Sequence, residues 1–262
     1  MAYQLHQQDC VEWMAAQPDA SIDIIVSSPP YNIGLNYNTY GDKMTAQQYL
    51  AWQQQIWTEA CRILRPTGHL FLNISPTRRD PLLPYRVADS VPWTIQNSIV
   101  WSKCIEIDGY VRGHGVVTAS KKYLPNGHEM MFHFTARGQT EIDIAASSVP
   151  YQPAWAADNE RRTGRNWRPT VNNWHISYET CGSFGGNKTQ ELKGDKKHPA
   201  IFPRELVRHC LRMAGANNTH RVYDPFAGTG TTLWVAEKEF GCEAIGTEID
   251  PDYAAFIHQR MT

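Results

Sequence analysis

Six consecutive residues, Ser27-Ser28-Pro29-Pro30-Tyr31-Asn32, bring together hydroxyls, two rigid prolines and an aromatic ring directly after the apolar run 22–26. The run reads as a short buried strand, and the prolines stop it abruptly because neither has an N–H to give to a sheet ladder. Their fixed φ holds the backbone carbonyls stiffly and outward. Such a group of residues suits a flat, neutral amine. Carbonyl and hydroxyl oxygens accept its N–H bonds while the tyrosine covers the ring face. Taken alone, the six residues read equally well as a proline-rich turn that caps a strand.

A second stretch with chemistry in it is Asp224-Pro225-Phe226-Ala227-Gly228-Thr229-Gly230-Thr231. With its flanks it reads as a strand, a glycine-rich turn and a helix that runs through 233–240, followed by another strand over 241–248. Glycines let a ligand approach the backbone closely, and a carboxylate at the end of the second strand, Glu248, is well placed to accept both hydroxyls of a ribose. The acidic residue, about 20 positions after the glycines, favours a ligand site over a plain tight turn. As a dinucleotide fingerprint the stretch is incomplete, because Leu233 stands where a third glycine would fall. Asp224 comes early, where it would meet a cationic or amino group rather than a pyrophosphate.

Ser28-Pro29-Pro30-Tyr31 taken with 224–230 resembles the amino-methylating DNA methyltransferases that use S-adenosylmethionine. The order, catalytic motif early and cofactor motif late, is that of their permuted β group. The resemblance runs from near residue 4 to the end of the chain, except for a middle segment after about 137 that matches no pattern. It implies an α/β fold, a Rossmann-like three-layer methyltransferase sheet with circularly permuted motif order and a small target-recognition insertion. The implied division is 1–135 for the catalytic part, 136–197 for the insertion and 198–262 for the cofactor part.

The same resemblance implies the site residues. Ser28, Pro29, Pro30 and Tyr31 would be catalytic. Asp9, Pro199, Phe202, Asp224, Phe226, Ala227, Gly228, Gly230, Thr231 and Glu248 would bind S-adenosylmethionine, and no metal is needed. For Asp9, a helix N-cap is an equal reading. The partner would be double-stranded DNA, with the target nucleotide flipped out of the duplex. Within the family Ser-Pro-Pro-Tyr is commoner for N4 of cytosine and Asp-Pro-Pro-Tyr for N6 of adenine, so cytosine is expected and adenine is the alternative. RNA or protein amine methyltransferases share a related Pro-Pro-Tyr pocket, but their motif usually follows the cofactor motif. The family also admits a cognate restriction endonuclease, a homodimer and a cytoplasmic, nucleoid-associated bacterial setting.

The rest of the chain supplies elements to hold these residues. Residues 3–10 read as a strand ending at Asp9, with a short helix near 11–16. Residues 46–65 read as a helix with Leu50, Ile56, Trp57, Ala60, Ile63 and Leu64 near one face and Pro66 and Gly68 after it. Strands are expected at 69–74, 94–101 and 128–135, the last pair as an antiparallel edge, and helices at 204–213 and 251–261. The stretch 33–42 is a loop, either closing over an extruded base or plain surface.

Over 161–197 there are eight Lys/Arg against three Asp/Glu, on a protein whose formal net charge is −1. Arg161, Arg162, Arg165 and Arg168 surround Trp167, with Trp155 and Trp174 nearby, a mixture that phosphates and base edges require. DNA contact is favoured there over a solvated loop. A near-neutral chain of 262 residues otherwise excludes a global basic field, and no run of about 18 apolar residues suggests a membrane span. The six cysteines have no Cys-x-x-Cys spacing, which argues against a zinc site or a disulfide framework, and none follows a proline as a cytosine-C5 nucleophile would.

Overall fold

The computed structural model describes residues 3–34, 41, 43–107, 110–113, 121–122, 124–177 and 203–262. The strands of its central sheet are β1 (Gln4–His6), β2 (Ile22–Ser27), β3 (Leu64–Ile74), β4 (Thr94–Ile107), β5 (Tyr110–Gly113), β6 (His128–Thr135), β9 (Asn173–Ser177), β10 (Arg221–Asp224) and β11 (Glu243–Thr247). These nine lie in the order β1-β11-β10-β2-β3-β6-β4-β5, with β9 also against β4. From β1 to β3 all neighbours are parallel. β6 runs antiparallel to β4, as the sequence suggested, but also to β3, and β5 and β9 pair with β4 beyond it, so the pair lies inside the sheet and not at its edge.

Alternation along the strands divides the core into two layers. On one face Ile25, Leu70, Leu72, Phe132 and Tyr223 pack against the helices α1 (Cys10–Ala15), α2 (Ala46–Ile63) and α3 (Leu83–Asp89). On the other Ile24, Val26, Phe71, Met131 and Val222 meet α5 (Arg204–Met213), α6 (Thr231–Lys238) and α7 (Pro251–Met261). Helices on both faces of a largely parallel sheet make the three-layer doubly wound architecture expected from the motif order.

Local chemistry explains most boundaries. Thr45 and Gln48 form a reciprocal capping box that starts α2. α2 ends two residues earlier than its apolar stripe implied, because Leu64 is already paired with Ile22 as the first residue of β3. α7 starts at Pro251 with Asp250 capping the amides of Asp252 and Tyr253.

A smaller unit stands apart from both cores. The two-stranded pairing of β7 (Val149–Pro150) with β8 (Trp167–Arg168) brackets α4 (Pro153–Thr163), a helix with no buried residue. Immediately after it, β9 returns to the main sheet and pairs with β4, and Trp174 is buried opposite Trp101. Trp174 is therefore a core residue, unlike Trp155, which is 65% exposed. No helix among the described residues is long and apolar enough to cross a membrane.

Candidate functional site

In chain order β10, β11 and β1 extend to one side of the sheet centre, while β2 and β3 extend to the other. The strand order therefore reverses between β10 and β2. In doubly wound sheets a crevice opens at such a point, beyond the carboxyl ends of the strands. Both sequence motifs sit there. Ser28–Tyr31 leave the end of β2, and the glycine turn leaves the end of β10. They are joined directly: Ser27 Oγ donates to Asp224 Oδ1 over 2.6 Å, in a buried bond between residues 197 apart in sequence.

Asp224 Oδ1 also accepts the Phe226 amide at 3.0 Å, so this oxygen faces inward and fixes the first bend of the turn. Burial raises the carboxyl pKa, against the lowering effect of these donors. Gly228 and Gly230 both adopt positive φ, 53° and 76°. A Cβ at Gly230 would come within 2.9 Å of Ile257 Cγ1, so both its conformation and its space demand glycine. The missing third glycine is made up elsewhere. Leu233 is fully buried in α6 against Gly246 of β11, where a Cβ would lie 2.8 Å from Leu233 Cδ1. The close helix–strand approach is provided by a glycine on the strand instead of the helix.

Glu248 follows β11 and spans the turn. Its Oε2 accepts the Gly228 amide at 2.8 Å and its Oε1 the Asp250 amide at 2.9 Å. A carboxylate offers about four lone-pair sites, so two remain for a pair of hydroxyls. Burial pushes this carboxyl up to about 7, against the pull of the two amides. Phe226 lies partly buried, edge-on to Trp52 of α2. Ala227 and Thr231 are buried, and Arg260 holds the turn by donating to the Thr229 carbonyl at 2.8 Å.

The proline motif is clamped from α2. The Tyr49 hydroxyl donates to the Pro30 carbonyl at 2.7 Å. Asn32, at φ +56°, makes two 2.8 Å bonds with the Met44 backbone through its side-chain amide. Asparagine tolerates the left-handed region better than most residues, and here its side chain stabilises the bend. With the Pro30 carbonyl occupied, no donor among the described residues reaches that of Pro29.

The Tyr31 ring packs partly buried against the α1–α2 core, and its hydroxyl lies in a polar cluster. Ser28 Oγ is 2.7 Å away, Asn73 Nδ2 2.9 Å, and Tyr31 donates to Glu129 Oε2 over 2.9 Å. Asn73 donates to the same Glu129 oxygen, and Lys103 Nζ lies 2.6 Å from the other. Burial first, and the Glu129 charge second, hold the Tyr31 phenol well above its ordinary range.

Asn73, Lys103 and Glu129 went unrecognised in the sequence. A signal existed for Glu129, an acid directly before the apolar run 130–132, since a buried charge requires a partner.

Among the remaining predicted residues, Asp9 caps α1, accepting the amides of Val11 and Glu12 at 2.8 and 3.2 Å. Pro199 and Phe202 lie outside the described residues, as does most of the 33–42 loop. Arg161 and Arg162 occupy the last turn of α4, Arg165 stacks 4.7 Å over the Trp167 ring, and Arg168 is in β8.

This sheet has close counterparts among solved structures. A PvuII DNA methyltransferase, cytosine-N4-specific, superposes with a TM-score of 0.71 at 20% identity, covering 98% of this chain and 86% of that one. A Thermus thermophilus protein described as a putative DNA modification methylase, solved in complex with S-adenosyl-L-methionine, gives 0.60 at 24% identity over 99% of this chain and 93% of that one. The fold is that of a Rossmann-like methyltransferase. Residues 22–259 match the N6/N4 DNA methylase family, and the chain belongs to it, an enzyme that methylates DNA. Similar curated proteins include the type II methyltransferase M.BglII of Bacillus subtilis, 25% identical over 98% of this chain and 68% of that protein. M.ScaI of Streptomyces caespitosus is 24% identical over 98% of this chain and 80% of its own length.

Proposed function

We propose that this chain transfers a methyl group from S-adenosylmethionine to N4 of cytosine in double-stranded DNA, with the target base flipped into the crevice between β2 and β10. The observation that carries the reading is the Ser27–Asp224 bond, which holds the amine-accepting motif and the glycine turn side by side. Glu248, with two lone-pair sites left, would take the ribose hydroxyls, and Gly228, Gly230 and Thr231 would let the cofactor lie against the α6 N-terminus. Bound S-adenosylmethionine would supply an electrophilic methyl group whose C–S bond breaks as the N–C bond forms, leaving a neutral thioether, while the amine gives up one N–H proton to solvent. Ser28 Oγ and the Pro29 carbonyl would accept the two N–H bonds of the amine. This draws its lone pair out of conjugation with the ring, and Tyr31 would stack on the base. Holding the amine in line with the methyl group supplies several kcal/mol without a covalent intermediate.

Cytosine is favoured over N6 of adenine by the serine at the head of the motif. α4 and the Arg165–Trp167 pair would contact DNA, and a restriction endonuclease partner is suggested by relatives named as type II methyltransferases. The test is to incubate the protein with unmodified plasmid DNA and labelled S-adenosylmethionine, then to identify the product nucleoside by mass spectrometry. N4-methylcytosine is expected. N6-methyladenine as the only product would overturn the base assignment alone, and unlabelled DNA would overturn the reaction.

A further inference from the structure

Resting on the reading of Ser28 and Tyr31 as the base pocket, we infer that Glu129, clamped by Lys103, is a positioning residue. It fixes the direction of the hydrogen bonds through Tyr31, so that Ser28 turns only lone pairs toward the substrate amine. The protons can be followed atom by atom. Both carboxylate oxygens of Glu129 face donors: Lys103 Nζ on Oε1, Tyr31 Oη and Asn73 Nδ2 on Oε2. A carboxylate accepts only.

Tyr31 has one proton, and it goes to Glu129, the strongest acceptor within reach. The Tyr31 oxygen is then an acceptor toward its other neighbours, Asn73 Nδ2 at 2.9 Å and Ser28 Oγ at 2.7 Å. Ser28 must therefore spend its single proton on Tyr31. What remains on Ser28 Oγ is lone pairs, which match an exocyclic amine that has only N–H groups to offer in the plane of the base.

Without the charge at Glu129 the chain can run backwards. A neutral amide there could donate to Tyr31, whose proton would then point at Ser28. The Ser28 proton would be free to face the amine, setting donor against donor. Glu129 thus acts through two intervening hydroxyls, and Lys103 keeps it from turning away. The pair is well inside the protein, with side-chain exposures of 23% for Lys103 and 9% for Glu129, so solvent does little to weaken it.

The experiment measures the single-turnover methylation rate on unmodified plasmid DNA, together with cofactor and DNA affinities, for wild type, E129Q, S28A and the double variant. Glu129→Gln should slow the methyl-transfer step about 10- to 100-fold, the range of a lost charge-assisted hydrogen bond. Both affinities should stay within about threefold. In the Ser28→Ala background the same change should cost less than about threefold, because its route is already cut. A wild-type rate in E129Q, or an equal loss with and without Ser28, would overturn the inference. Y31F serves if E129Q does not fold: it removes the bridging hydroxyl and keeps the ring. It should be slowed comparably and add little to S28A, and full activity in Y31F would also overturn the idea. A wild-type protein that methylates no DNA would instead remove the reading beneath it, and the inference with it.

Discussion

The strand-end crevice and the α4 unit are built on opposite principles. In the crevice, side chains from β2, β3, β4, β6 and β10 and from Tyr31 share buried or half-buried polar bonds, and each position is held by several neighbours. In α4 no residue is buried, and among the described residues its arginines are tied to their own helix: Arg161 to Asp158, with side chains 79% and 77% exposed, and Arg162 to Asn159. Exposed pairs of this kind contribute little to stability. Methyl transfer needs atoms fixed to fractions of an ångström, whereas a surface that reads DNA needs cations free to leave their intramolecular partners. Substitutions in the first region should therefore alter chemistry and folding together. Those in the second should alter DNA binding alone.

The sharpest break of this contrast would come at Tyr31. Tyr31→Ala removes a stacking surface worth about 1–3 kcal/mol and strips a donor from Glu129. The single-turnover rate should fall by about 100-fold or more, and an unchanged rate would put the pocket elsewhere. Next in size is Asp224→Ala, which leaves Ser27 Oγ and the Phe226 amide without their acceptor. Urea denaturation should register a loss of about 1–3 kcal/mol, with weaker cofactor binding by calorimetry. Unchanged values in both would detach the Ser27–Asp224 link from the site.

A smaller effect is expected from pH. Burial pushes the Glu248 carboxyl up to about 7, and the ribose hydroxyls proposed to meet it would favour its ionised form. Binding would therefore lower its pKa. Cofactor affinity should be level above about pH 7 and decline below it, by at most about tenfold per unit. Glu248→Gln should flatten the profile, and a wild-type affinity that is the same at pH 6 and pH 8 would remove this role. Smallest of all, replacing Arg161, Arg162 and Arg165 together should leave unfolding free energy within about 0.5 kcal/mol. It should reduce the slope of log affinity for DNA against log salt by roughly 0.9 for each phosphate no longer neutralised. A large drop in stability would show that α4 is structural after all.

Local patterns carried much of this molecule into view from sequence. Prolines after 22–26, glycines after Asp224 and the Pro251 helix start are short-range signals, and each became the element it announced. Pairings set by distant residues were not legible. Nothing near His128 says that β6 will insert between β3 and β4. Equally, nothing near Asn173 says that β9 will join β4 and draw Trp174 inward. The Tyr31 cluster shows the same limit. The motif alone predicts that Tyr31→Phe keeps most activity, since the ring does the stacking. A hydroxyl bonded to Ser28 within the motif and to Asn73 of β3 and Glu129 of β6 points the other way.

The pairing of β2 with β10 also bears on how the chain is made. At about 5–20 residues per second, the 197 residues between Ser27 and Asp224 take roughly 10–40 s to synthesise. Throughout that interval β2, apolar on both faces, has an unfilled edge where β10 will later lie. Such an edge is an invitation to pair with the wrong strand, including the same strand of a neighbouring nascent chain. Yield in a cell should therefore depend on how quickly the last stretch of chain, from β10 onward, arrives. Slowing translation between β9 and β10 should drive more of the protein into aggregates than slowing it by the same amount before β2 has been made.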